Sequence, residues 1–185
     1  MKISKQNLQR LIKEELQTVL YESNSDLDVG EDGVPSRMFR SPKPFTNFFE
    51  VDQDPEPGFK PAGLWYACGS SWDDWCQMVM PDEIARSPHV YQIEVNPSRI
   101  LNIRNRDQLQ GFNAKYGVSI NSSGSHLIDW RALEKDFDGI EICPYQPESR
   151  YEPLWYHGWD VASGCIWGSG AFKSVKKIKD MCRVV

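Results

Sequence analysis

Downstream of residue 36 the apolar residues of this chain come in short runs, each stopped by proline or glycine, and that punctuation decides the fold class. Gly63-Leu64-Trp65-Tyr66-Ala67-Cys68 is entered through Lys60-Pro61 and left through Gly69-Ser70-Ser71. Val90 to Val95 alternates and is ended by Pro97, Ile100 to Ile103 follows, and Gly139-Ile140-Glu141-Ile142 and Val161 to Trp167 come late. Each is strand-length, and Ser36 to Ser41 reads as a short first strand ending before Pro42. Fewer segments carry a helical period. Trp72, Trp75, Cys76 and Val79 share one helix face, with Ser70 or Ser71 as its cap, and Arg106 to Tyr116 and Asp129 to Lys135 are expected to be helical. Many short strands with few helices predict an α+β domain rather than regularly alternating βαβ units.

The N-terminus reads differently. Ile3, Leu8, Leu11, Ile12, Leu16, Val19 and Leu20 recur near a 3.6-residue period, so residues 1–21 are expected to form an amphipathic helix. Residues 22–35 are rich in Ser, Asp and Gly and read as an acidic linker, which leaves 36–185 as the folded body. At 185 residues the chain can bury a core without staples. No apolar run approaches the roughly 20 residues needed to cross a bilayer, and Lys and Glu stand where a signal peptide needs its apolar stretch. The expectation is a soluble, unexported protein with no membrane partner.

Charge and reactive side chains exclude several classes. The formal net charge is −5, and residues 21–60 hold nine acidic against four basic side chains. Non-specific nucleic-acid binding, which depends on neutralising phosphates, is therefore not expected. Cys68, Cys76, Cys143, Cys165 and Cys182 are odd in number and scattered, with no paired spacing and no histidine at ligand distance in sequence. They predict a reducing compartment and no metal site. There is no GxxxxGK loop, no GxGxxG after a strand and no GxSxG elbow.

What remains to be explained is the aromatic content: seven Trp, seven Tyr and eight Phe. Such rings fill cores or stack on flat ligands. Three aromatic-bearing segments stand out in order: Lys60 to Cys76, Phe137 to Ile142, and Tyr156 to Trp167. Together they resemble the mono-ADP-ribosyltransferase fold, in particular divergent phage and bacterial members with a KPxGLW strand, a following tryptophan helix and a late DGIE strand. The resemblance spans roughly residues 37 to 167 and implies small split antiparallel sheets around a cleft that holds NAD.

Carried over residue by residue, the resemblance implies Arg40 on the first strand as a contact to the pyrophosphate or ribose, with Arg37 as the alternative. Trp65 and Tyr66 occupy the second-strand element, Ser70 or Ser71 offers a hydroxyl, and Glu141 is the catalytic carboxylate. Two departures qualify the pattern. Trp65-Tyr66-Ala67 replaces the STS triplet of one branch, so the hydroxyl that braces the glutamate is unassigned, and Gly139 stands where an acceptor-positioning side chain is usual. The alternation Ile140-Glu141-Ile142 lets Glu141 project either into a cleft or into solvent.

The function implied is transfer of ADP-ribose from NAD, as substrate, to a host macromolecule, protein or nucleic acid, by a phage-encoded enzyme without a metal. Residues 1–21 resemble virion-protein starts and imply capsid association, which would place the protein in the host cytoplasm or in a virion. The alternative from another class is a non-catalytic nucleotide- or sugar-binding accessory or anti-defence protein.

Overall fold

The computed structural model describes residues 36–121 and 124–180. The helix expected over 1–21 and the linker over 22–35 lie outside the described residues. The first strand, β1, spans Arg37–Ser41, and β2, Leu64–Cys68, pairs antiparallel with it. Helix α1, Ser71–Val79, and the short α2, Pro81–Arg86, follow. Strand β3 is His89–Val95 and β4 is Ile100–Ile103. Helix α3, Arg106–Tyr116, leads to a small antiparallel pair, β5 (Gly117–Ser119) with β6 (His126–Ile128), and then to α4, Trp130–Glu134. Strands β7 (Gly139–Ile142), β8 (Ser163–Ile166) and β9 (Phe172–Asp180) complete the chain.

Seven strands form one curled sheet in the order β4-β7-β8-β2-β1-β3-β9, with β5-β6 apart. This mixed α/β arrangement differs from the two small antiparallel sheets that the resemblance implied. The strands run on without a split, and β4 lies parallel to β7 with Ile100 opposite Gly139. A parallel pair needs a long crossover, and α3, the β5-β6 pair and α4 supply it.

Local chemistry explains where the helices start. The Asn105 side chain accepts from Gln108 N at 2.9 Å while Gln108 Oε1 accepts from Arg104 N at 2.7 Å, a reciprocal cap at the start of α3. Asp129 caps α4 by accepting from Ala132 N at 2.9 Å. At α1 the expected cap is absent: Ser70 Oγ donates to Asp74 and Ser71 Oγ donates to the Ala162 carbonyl. Asp73 and Asp74 in the first turn face the positive end of the helix dipole instead.

Alternation along the strands divides the core into two faces. On one, Phe39, Tyr66, Tyr91, Ile93, Val95, Ile100 and Ile166 are buried together, covered by Phe45, Phe48 and Phe172. On the other, Ile140, Ile142, Ile103 and Cys165 pack under Leu109 and Phe112 of α3, Leu133 and Trp130 of α4, and Trp155 and Trp159. Five of the seven tryptophans, Trp75, Trp130, Trp155, Trp159 and Trp167, are core residues. Trp65 and Trp72 are only half-buried. The composition is thus mainly core filling, with two rings left over.

The scattered cysteines include one pair that meets in space. Cys68 and Cys143 are disulfide-bonded across 75 residues of sequence, their Cα atoms 6.6 Å apart. No local spacing announces such a pair, because β2, β8 and β7 must first assemble to bring the ends of two strands together.

Candidate functional site

Three side chains from three strands meet on the face that carries Tyr66. Arg37 at the start of β1 reaches Glu141 on β7 with both arms of its guanidinium: Nε donates to Oε2 at 2.5 Å and Nη2 to Oε1 at 3.0 Å. Tyr66 on β2 donates its hydroxyl to Glu141 Oε2 at 2.8 Å. All three are shielded, with Arg37 the most accessible at 11% side-chain exposure against 5% for Glu141. A bidentate fork of this kind is a strong, directional charge-assisted contact.

Sheet register makes the meeting possible. Tyr66 lies opposite Gly164 on β8, and Gly164 lies opposite Glu141 on β7. The three positions share one level and one face, and the middle one has no side chain. A Cβ at Gly164 would sit 2.4 Å from the Tyr66 ring, so the phenol lies across the glycine to reach the carboxylate. A glycine inside a strand often marks such a close approach.

The electrostatics follow from burial and pairing. Burial pushes the Tyr66 hydroxyl well above its ordinary value, and the Glu141 charge adds to the effect, so Tyr66 remains a neutral donor. Burial alone would pull the Arg37 guanidinium down, but hydrogen bonding and attraction to Glu141 hold it above its ordinary value. Arg37 therefore stays charged, and the triad carries one positive charge, one negative charge and one neutral hydroxyl.

A second feature lies on the opposite face of the same strands. A cavity of about 280 Å³ is lined by Trp65 and Ala67 of β2, Met38 and Arg40 of β1, Trp72, Trp159, Lys60 and Asp160, among others. An adjoining cavity of about 190 Å³ shares Met38, Arg40, Ala67 and Trp72 and adds Ser70 and Asp73. Lys60 Nζ sits 5.1 Å from the Trp65 ring centroid, and Trp65 meets Trp159 edge-on at 4.9 Å. Burial lowers the Lys60 pKa while the nearby Asp160 charge opposes that. The cation and the rings suit a planar anionic ligand.

The expected site residues thus divide between two faces. Arg37, Tyr66 and Glu141 come together, so the first-strand arginine beside Glu141 is Arg37 and not Arg40. Arg40, three positions on, points to the other face, where both arms of its guanidinium contact Asp73 of α1 at 2.5 Å and Nη1 donates to the Ser87 carbonyl. Trp65 and Ser70 line the second-face cavities, and Ser71 is buried against Ala162. Tyr66 is the residue whose hydroxyl donates to Glu141.

Sequence reasoning gave no cavity role to Lys60 or Asp160, although Lys60 opens the Lys-Pro-x-Gly segment on which the resemblance rests, while Trp159 lies in a segment that the resemblance includes. Gly164 is a legible signal for the Tyr66 crossing. Comparison with protein-family models, with curated sequences and with solved structures finds no match for this chain. Among the described residues, no helix is long and apolar enough to cross a membrane.

Proposed function

We propose that this protein is a mono-ADP-ribosyltransferase acting on NAD, with Arg37, Tyr66 and Glu141 as its reacting centre. The observation that carries the reading is the convergence of an arginine from the first strand, a hydroxyl from the second and a glutamate from a late strand on one point. Those are the side-chain types and strand positions that the motif resemblance implies.

The chemistry assigns each a task. Breaking the bond between ribose C1′ and the nicotinamide nitrogen sends the bonding pair to that nitrogen and leaves positive charge on the ribose. A carboxylate held close to the ribose stabilises that charge as it develops. Tyr66, kept protonated by its surroundings, fixes one oxygen of Glu141 in place. Arg37 guards the other oxygen and is the most accessible of the three. Its guanidinium fork transfers to the pyrophosphate when the dinucleotide arrives, freeing that carboxylate oxygen for a ribose hydroxyl. The acceptor nucleophile then bonds to C1′ and gives its proton to solvent. The acceptor is a host macromolecule in this reading.

A second reading, nucleotide binding without turnover, is favoured by the cavity between Trp65 and Trp72 with Lys60 at its edge. Nicotinamide release from labelled NAD, together with label transfer to proteins or nucleic acids of a host lysate, separates the two. The transferase reading expects both for the wild type and a loss of about 10²-fold or more in Glu141→Gln, the scale for removing one electrostatic stabiliser. Saturable NAD binding by calorimetry with no release, unchanged in Glu141→Gln and lost in Trp72→Ala, would establish the second reading and overturn the first.

A further inference from the structure

The disulfide and the triad meet at one place. Cys68 ends β2, on the same face as Tyr66, and Cys143 follows β7, on the same face as Glu141. The two sulfurs and a Glu141 oxygen all lie within 4.8 Å of one another, and all three residues are buried. Once the disulfide is reduced, two thiolates and a carboxylate at these positions make a donor set suited to zinc.

We propose that Cys68, Glu141 and Cys143 form a redox-gated site for a thiophilic divalent cation, zinc being the natural occupant. Oxidised, the two sulfurs are bonded to each other and the site is closed to metal. A phosphine or dithiol reductant supplies two electrons and opens the disulfide; with two protons taken up, two thiols result and the reductant is oxidised. Zinc then displaces those two protons to solvent and binds both thiolates with the carboxylate. Tetrahedral Zn–S bonds of about 2.3 Å place the sulfurs about 3.8 Å apart. The Cα separation of 6.6 Å is compatible with that spread.

Charge supports the assignment. Two thiolates and Glu141 bring three negative charges, and Arg37 beside them brings one positive charge. A divalent cation makes this buried group neutral, whereas two thiolates formed there without metal would leave it strongly negative, at large desolvation cost. Tyr66 donates to the same carboxylate and orients it from outside, as groups behind metal ligands commonly do. The fourth position is left to water or to an incoming ligand, reached from the side of Arg37 and Cys143, the more accessible edges of the group.

The site is independent of whether NAD is cleaved, and its test reads metal directly. The full chain, reduced with a phosphine and kept anaerobic, is titrated with Co²⁺ and then Zn²⁺. One equivalent of cobalt is expected to give thiolate-to-metal charge-transfer absorption and the intense visible bands of a tetrahedral complex, both erased by zinc. The oxidised protein is expected to give neither and to show two fewer titratable thiols. Cys143→Ser and Cys68→Ser should lose the charge-transfer band, Cys76→Ser should keep it, and Glu141→Gln should weaken cobalt binding about tenfold or more. Absence of the band in reduced wild type overturns the proposal whatever the variants do. So does its persistence in both Cys68→Ser and Cys143→Ser.

Discussion

Strand β2 serves two regions that behave as opposites. On one side Tyr66 joins Arg37 and Glu141 in a closed group, where both carboxylate oxygens have donors and little surface is exposed. On the other, Trp65 and Ala67, one residue away on either side, face an open cavity beside Trp72 and Lys60. The closed side holds geometry for chemistry that needs a fixed charge; the open side holds space for a ring. A five-residue strand provides both because its side chains alternate, so a function inferred from one side says nothing about the other.

The sharpest way to break this contrast is to remove the closed side's charge. Glu141→Ala leaves Arg37 buried beside an empty position, and a stability loss of about 3–5 kcal/mol is expected, read from the urea midpoint. A loss under about 1 kcal/mol would mean that the ion pair is solvated and the region is not closed. Gly164→Ala attacks the same group without touching its charges. The new methyl meets the Tyr66 ring, so a loss of about 1–3 kcal/mol is expected, with nicotinamide release falling along with it as the phenol is displaced from Glu141.

On the open side the expected effects on stability are smaller. Trp72→Ala removes a half-buried ring stacked on Trp75 at 5.1 Å, costing about 1 kcal/mol. It should leave nicotinamide release within about twofold, because the ring lies across the sheet from Glu141. A tenfold rise in KM for NAD would instead unite the two faces in one site. The smallest effect is alkaline. Burial raises Cys76 from 9.0 to about 11 and Tyr145 from 10.0 to about 12, and raises Tyr66 as well. These groups hold their protons longer when folded than when unfolded. Their stabilisation is complete below about pH 9 and is lost as pH rises through the folded values. Roughly 1 kcal/mol should be gone by pH 10, a fall in melting temperature of about 2–4 °C by scanning calorimetry. A flat profile from about pH 8 to 10 would show those groups to be solvent-reached.

Much of the fold was readable from local pattern. The boundaries of β2, β3, β4 and β7 lie within a residue or so of where proline and glycine placed them, and α3 spans the expected Arg106 to Tyr116. The segments missed are short ones or ones that bury nothing. Strands β5 and β6 are three residues each, and α2 buries none of its residues. The amphipathic reading of residues 1–21 falls outside what the structure describes.

The site was legible in kind but not in assembly. Arginine on the first strand and Glu141 on a late one were both named, yet Arg37 and Arg40 sit on the same strand with equal local claims. A spacing of three puts them on opposite faces, and only the register of β1 on β2, with Arg37 opposite Cys68, determines which one shares a face with Tyr66. The disulfide was invisible for a related reason: its 75-residue separation closes only after β7 has joined β8 and β8 has joined β2.

By itself the sequence determined the short strands, the main helices and the residue types available for chemistry, because glycine, proline and side-chain periodicity act over a few neighbouring positions. Tertiary structure decided which residues meet. It set Arg37 and not Arg40 against Glu141, laid Tyr66 across Gly164, left Trp65 and Trp72 half-buried while five other tryptophans filled the core, and joined Cys68 to Cys143. Each of those outcomes depends on strand order and register, which are fixed by the burial of whole faces rather than by any one segment.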